Sequence, residues 1–140
     1  MLAKVRSCAV VGLEGVIVEV EVDVSSGLPK FIVVGLPDAA VSEARERVTA
    51  AVRNSGFTFP MRKVVASLAP ANLRKAGPAY DLPIAVALLA CTRQIPENTD
   101  DTILLGELAL DGTLRHTTGI LPMVAGSLGK GFTKIIVPEV

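Results

Sequence analysis

The sequence predicts an α/β domain of the α+β kind, a mixed sheet with helices packed on it. Three observations carry this. Residues 16 to 24 alternate without a break: Val16, Val18, Val20, Val22 and Val24 fall on one face, Ile17, Glu19, Glu21 and Asp23 on the other. A period of two marks a strand with one buried face. Two later stretches, 39–54 and 81–92, read as helices set between strands. The chain has 140 residues, half of them hydrophobic and a fifth charged, which suits one domain around one core.

The elements follow in order. Lys4–Val11 is strand-like, and Gly12 and Gly15 bracket Leu13-Glu14 as a four-residue hairpin loop before the alternating strand. In that register Val11 meets Val16, Ala9 meets Val18, Ser7 meets Val20 and Val5 meets Val22. On the outer face Arg6 meets Glu21 and Lys4 meets Asp23, so both faces agree with one pairing. Gly27-Leu28-Pro29 is a turn, and the wholly apolar Phe31–Val34 reads as a central strand. A helix over 39–54 follows, with Asp38 as N-cap and Val41, Ala44, Val48, Ala51 and Val52 as its apolar stripe; Gly56 ends it. Val64–Leu68 is a strand, 69–80 a loop, and Asp81 caps a second helix to about Thr92, with Pro83 in its first turn where the missing donor costs little. Gln94–Asp101 is a polar connection. Ile103–Leu110 and Thr113–Arg115 flank Asp111-Gly112, a strong two-residue hairpin signal. A third helix is expected over 120–128 and a last strand over 133–137.

Composition narrows the partners. Fourteen basic residues balance fourteen acidic ones, so net charge selects neither nucleic acid nor membrane. The high apolar fraction implies some surface made to be covered. Cys8 and Cys91 both lie in apolar runs and read as buried free thiols of a reducing compartment. Apolar stretches such as Ile84–Cys91 are too short to span a bilayer, and no leader-like run opens the chain. The expected location is the cytoplasm, with no membrane partner.

Three separated stretches together resemble one family. They are GLEGVIVEVEVDVSSGLPKFIVVGLPDAAVSEARERVTAAV, SLAPANLRKAGPAYDLPIAVALL and GELALDGTLRHTTGILPM. Their order and content are similar to the N-terminal domain of the magnesium-chelatase-like AAA+ ATPases of the competence protein ComM type. The resemblance covers essentially the whole chain. It implies a ribosomal-protein-S5-domain-2-like fold akin to the Lon protease proteolytic domain. It also implies that 1–140 is a single Lon-like N-terminal domain lacking its last elements, with the ATPase module beyond residue 140.

The resemblance further tells where a Lon-like Ser-Lys dyad would lie. The nucleophilic Ser of such peptidases opens a helix after Gly-Pro, where amide donors stabilise an oxyanion. The matching stretch is Gly77-Pro78-Ala79-Tyr80-Asp81, with Ala79 at the Ser position, and aligning Gly106-Glu107 and Gly112 puts Met123 at the Lys position. Neither side chain can take or give a proton, so no catalytic residue is expected. Ser67, Ser127 and Lys130 remain, with nothing in the sequence to bring them together.

Other candidates have plainer readings. Gly126-Ser127-Leu128-Gly129-Lys130-Gly131 imitates a phosphate loop, but Val124 stands where Walker A needs Gly and Gly131 where it needs Ser or Thr. A helix C-terminus explains it better. Glu19, Glu21 and Asp23 share a strand face but sit about 7 Å apart along it, and Lys4 and Arg6 opposite explain them as a charge ladder rather than a metal site. His116, the sole histidine, has no assignable acid-base partner. The basic pairs Arg62-Lys63 and Arg74-Lys75 are where charge segregates. They read either as solvated loop residues or as a contact with nucleic-acid phosphates or a neighbouring subunit.

By resemblance, then, this is a non-catalytic accessory domain, for assembly or DNA guiding, of an ATPase that couples ATP hydrolysis to DNA branch migration as a ring-shaped oligomer. ATP and Mg are cofactors of that ATPase module, with none expected in this chain. Its partners would be the AAA+ module, neighbouring subunits and, weakly, DNA. The alternatives are a divergent Lon-like serine hydrolase and a purely structural oligomerisation module.

Overall fold

The computed structural model describes residues 1–11, 14–70, 75, 79–96, 102–115 and 134–136. Among them the elements run β1 (Leu2–Val11), β2 (Glu14–Ser25), β3 (Lys30–Val34), α1 (Asp38–Asn54), β4 (Lys63–Ala69), α2 (Asp81–Cys91), β5 (Thr102–Leu104), β6 (Glu107–Leu108), β7 (Leu114–Arg115) and β8 (Lys134–Ile136). Six strands form one mixed sheet in the order β3-β4-β2-β1-β5-β8, and β6 and β7 form a separate hairpin. The predicted α/β class is therefore the observed one. The helix expected over 120–128 falls outside the described residues.

The β1–β2 hairpin is antiparallel, but its register is two residues from the expected one. Val11 lies opposite Glu14, Ala9 opposite Val16, Ser7 opposite Val18 and Val5 opposite Val20. Arg6 therefore faces Glu19, and Lys4 faces Glu21. The reason is that Glu14 and Gly15, assigned to the loop from sequence, belong to β2. A slip of two keeps every side chain on its face, so the alternation that proved the strand could not choose between the two registers. Val18, Val20, Val22 and Val24 are buried as the pattern requires. Each such valine contributes about 1.5–3 kcal/mol relative to exposure.

β3, α1 and β4 form a parallel crossover unit, since β3 and β4 are neighbours and run parallel. β4 then pairs antiparallel with β2. Phe31–Val34 is thus an edge strand, not the central one its apolar run suggested. Only Phe31 and Val33 turn toward the core, while Ile32 and Val34 are exposed. The chain leaves β3 through Gly35, whose φ is +100°, and a Cβ there would collide with the Leu68 carbonyl oxygen.

Both helices lie on one face of the sheet. The predicted α1 stripe is the buried one: Ala44, Val48, Ala51 and Val52 are buried, with Val41 packed against them. α1 begins at Asp38 itself, with Pro37 at the capping position, one residue before the expected cap. It ends as foreseen at Gly56 (φ +87°). The Phe57 amide donates to the Val52 carbonyl and the Gly56 amide to that of Arg53, a Schellman closure. α2 is almost wholly buried and fills the space between α1 and the β1–β2 hairpin.

The β6–β7 connection also differs from expectation. The Ala109 amide donates to Thr113 and the Gly112 amide to Ala109, enclosing Leu110-Asp111-Gly112 as a three-residue loop with Gly112 at φ +93°. Asp111 accepts from the Thr113 amide and hydroxyl, and Asn54 Nδ2 donates to the Leu110 carbonyl at 2.7 Å, fixing the loop to the end of α1.

Candidate functional site

The segment entering α2 is pinned to the strand region before β6. The Gly106 amide donates to the Ala79 carbonyl at 2.8 Å, and the Leu82 amide to the Gly106 carbonyl at 3.0 Å. Ala79, which the resemblance would align with a Lon-like nucleophile, is buried. Gly77 and Pro78, together with Met123, His116, Ser127 and Lys130, lie outside the described residues, as does the 126–131 stretch. The expected proximity of Ala79 and Met123 is therefore outside them too. Ser67 sits on β4 opposite Glu21, on the sheet face away from the helices.

Asp81 is not an N-cap but the first residue of α2, capped by Tyr80, and it is only 1% exposed. Arg47, reaching from α1, donates Nε to Asp81 Oδ2 at 2.5 Å and Nη2 to Oδ1 at 3.2 Å. The Leu108 amide donates to Oδ2 at 3.1 Å. One carboxylate thus ties α1, α2 and β6 together, and the positive end of α2 favours it there. Burial pushes the Asp81 carboxyl up, against the opposing hydrogen bonds from Arg47 and Leu108. The hydrogen bond to Asp81 raises Arg47 in turn. Sequence reasoning missed the pair, although Arg47 stands beside the apolar stripe of α1 and Asp81 opens an otherwise apolar helix. Beside it Tyr80 is buried, its phenol pushed up to about 12, chiefly by desolvation.

The basic residues divide. Arg62 and Lys63 are exposed as expected, and Arg74 lies outside the described residues. Lys75 departs from the expected solvated loop: it is 1% exposed and donates from Nζ to the Pro70 carbonyl at 2.6 Å. Burial pushes its ammonium down. The carboxylate ladder on β2 is matched by cations: Lys4 reaches Glu19 at 3.9 Å, and the amino terminus reaches Asp23 at 3.6 Å. These pairs are about half exposed, so each is worth little. Cys8 and Cys91 are both buried, as expected. Among the described residues no helix is long and apolar enough to cross a membrane.

Comparison with known proteins places this arrangement in a family. Residues 20–140 match the family model described as subunit ChlI of Mg-chelatase. The chain belongs to this magnesium-chelatase-like family. It is 45% identical over 139 residues to the uncharacterized protein YifB of Escherichia coli, covering 99% of this chain and 27% of YifB. An uncharacterized Mycobacterium tuberculosis protein is 46% identical over 138 residues, covering 98% of this chain and 27% of the relative. The competence protein ComM of Haemophilus influenzae is 40% identical over 124 residues, covering 88% of this chain and 24% of ComM. The chain therefore spans about a quarter of these relatives' length, and within the family it is of the ComM type.

Proposed function

We propose that this chain is a non-catalytic accessory domain, Lon-like in architecture, that serves assembly or DNA guiding in a ComM-like AAA+ ATPase. The observation that carries the reading is Ala79. It stands where a Lon-like peptidase would place its nucleophile, and its buried methyl cannot attack a carbonyl. The ATPase module would lie outside this chain, bind ATP and Mg, and drive DNA branch migration as a ring in the cytoplasm. This domain would contribute contacts to that module, to neighbouring subunits and to DNA. A single domain should hold DNA weakly, and a ring presenting several copies would hold it tightly.

Two measurements on the full-length protein test this. A fluorogenic peptide assay should give no turnover; turnover would restore the divergent hydrolase reading. A salt-titrated duplex-binding assay should show affinity falling with salt. Absence of DNA binding would leave the structural oligomerisation module, which the exposed Ile32 and Val34 on the open sheet face favour.

A further inference from the structure

At the β3 edge the fold adds Lys30 to the Arg62-Lys63 pair, making a row of cations. Lys30 of β3 lies directly opposite Lys63 of β4, and Lys63 lies directly opposite Ser25 of β2. All three belong to the sheet face away from the helices, at the end where β3 and β4 begin. Arg62 precedes Lys63, and its carbonyl accepts the Lys30 amide at 3.4 Å. Lys30, Arg62 and Lys63 are all exposed. Among the described residues no carboxylate lies within 4 Å of any of them. The carboxylate next along this face of β2, Asp23, is taken by the amino terminus. Like charges directly opposite each other destabilise a sheet, so the pairing is unfavourable unless something negative covers it.

We infer that this row is a contact for the phosphate backbone of duplex DNA, an inference that rests on the DNA-guiding function proposed above. Neighbouring strands are about 4.8 Å apart, so Lys30, Lys63 and Ser25 form a line about 10 Å long. A line of donors suits an extended polyanion better than a single phosphate. No aromatic residue lies in the row to stack on a base, so contact is to phosphates and independent of sequence. Leu28 and Met61, 78% and 73% exposed, flank it from the turns before β3 and β4. They do not make it a membrane anchor, because together they hold fewer carbons than one myristoyl chain, which by itself binds bilayers only marginally.

The test is anisotropy of a labelled mixed-sequence duplex with the full-length protein across a salt series. The variants are Lys30→Gln/Arg62→Gln/Lys63→Gln and, as a control away from the row, Arg53→Gln at the end of α1. The triple variant should weaken binding and flatten the slope of log K against log salt by about 0.9 for each phosphate no longer neutralised. Arg53→Gln should leave the slope unchanged. Lys30→Glu guards against misfolding. It places an acid opposite Lys63, so it should raise thermal stability while weakening DNA binding. Unchanged affinity and slope in the triple variant and in Lys30→Glu would overturn the row as a DNA contact and leave the proposed function standing. No duplex binding by the parent protein would overturn both. So would binding to phosphatidylserine vesicles, but not to DNA, that the triple variant abolishes.

Discussion

Two buried polar side chains behave differently at the level of single residues. Ser7 points into the helix-covered side of the sheet, fully buried, and among the described residues its hydroxyl has no hydrogen-bond partner. A buried unsatisfied hydroxyl costs about 1–3 kcal/mol. Ser7→Ala should therefore raise stability by about 1 kcal/mol in chemical denaturation, after some offset from the small void. A drop in stability on that substitution would mean the hydroxyl is satisfied. Tyr80 is the chain's sole tyrosine, so phenolate absorbance reports it alone. Its folded value of about 12 lies above the ordinary 10.0 of a tyrosine. An acid whose pKa is raised by folding supports the fold fully below its unfolded value and loses that support as pH rises through the folded one. Stability should fall between pH 10 and about 12, and Tyr80→Phe should flatten that fall. Phenolate appearing near pH 10 without unfolding would contradict the burial.

Elements are held by pairs and caps that the sequence shows only in part. α2 ends in the same closure as α1, with the Gln94 amide donating to Leu89 and the Arg93 amide to Ala90. Here the left-handed position is Arg93, at φ 59°, rather than glycine. That conformation costs an L-residue about 1–2 kcal/mol, so Arg93→Gly should stabilise by about 0.5–1 kcal/mol once the entropy of the unfolded glycine is counted. A thermal melt decides it, and a lower midpoint would mean that the Arg93 side chain makes up the difference. Gln94 then clamps Thr58, accepting from its amide and donating to its carbonyl, both at 2.8 Å. A polar residue at the head of a connection gives no sequence sign of that clamp.

The Arg47–Asp81 pair tests a different side of the same assembly. Arg47→Met leaves a buried carboxylate without its cation, whereas Asp81→Asn leaves an uncharged acceptor for the Leu108 amide. At neutral pH Arg47→Met should therefore cost more, about 3 kcal/mol or above. Burial already raises the Asp81 carboxyl, and removing Arg47 raises it further. The stability of Arg47→Met should recover as pH falls and the carboxyl takes up its proton. Denaturation at two pH values reads this, and an equal cost for both variants at both pH values would show that Asp81 is not charged in the fold. The stripes of α1, the alternation of β2 and the glycine after α1 were legible because each is a local pattern with one physical meaning. The hairpin register was not, because a shift of two residues preserves every face. The edge position of β3 was not either. An apolar run promises burial, and only the topology of the β3-α1-β4 crossover shows that the strand has one neighbour among the described residues.

At the scale of the whole molecule, that topology sets where the fold is firmest. β2 is paired with β1 over Glu14–Asp23 and with β4 over Glu19–Ser25, so its stretch from Glu19 to Asp23 is paired on both sides, and α2 packs over β1 and β2. Val5, Val18, Val20, Val22 and Val64 are fully buried there. β3 has β4 as its one neighbour among the described residues, and one of its outward carbonyls, that of Phe31, is met by Arg45 at 3.2 Å. An arginine laid along an edge strand is a protection against pairing with another chain. It does not lock the strand in place. The same end of the sheet bears the mutually repelling Lys30 and Lys63. Local opening is easiest where buried contacts are few and backbone bonds lie near solvent. Amide hydrogen exchange should therefore be slowest at Val20 and Val22 and clearly faster at Ile32, whose residue pairs inward with Val65. Raising salt should narrow the gap by screening the two lysines. Equal protection across β2 and β3 at low salt would show that the edge is held by something other than β4, and would argue against a basic row left open for a polyanion.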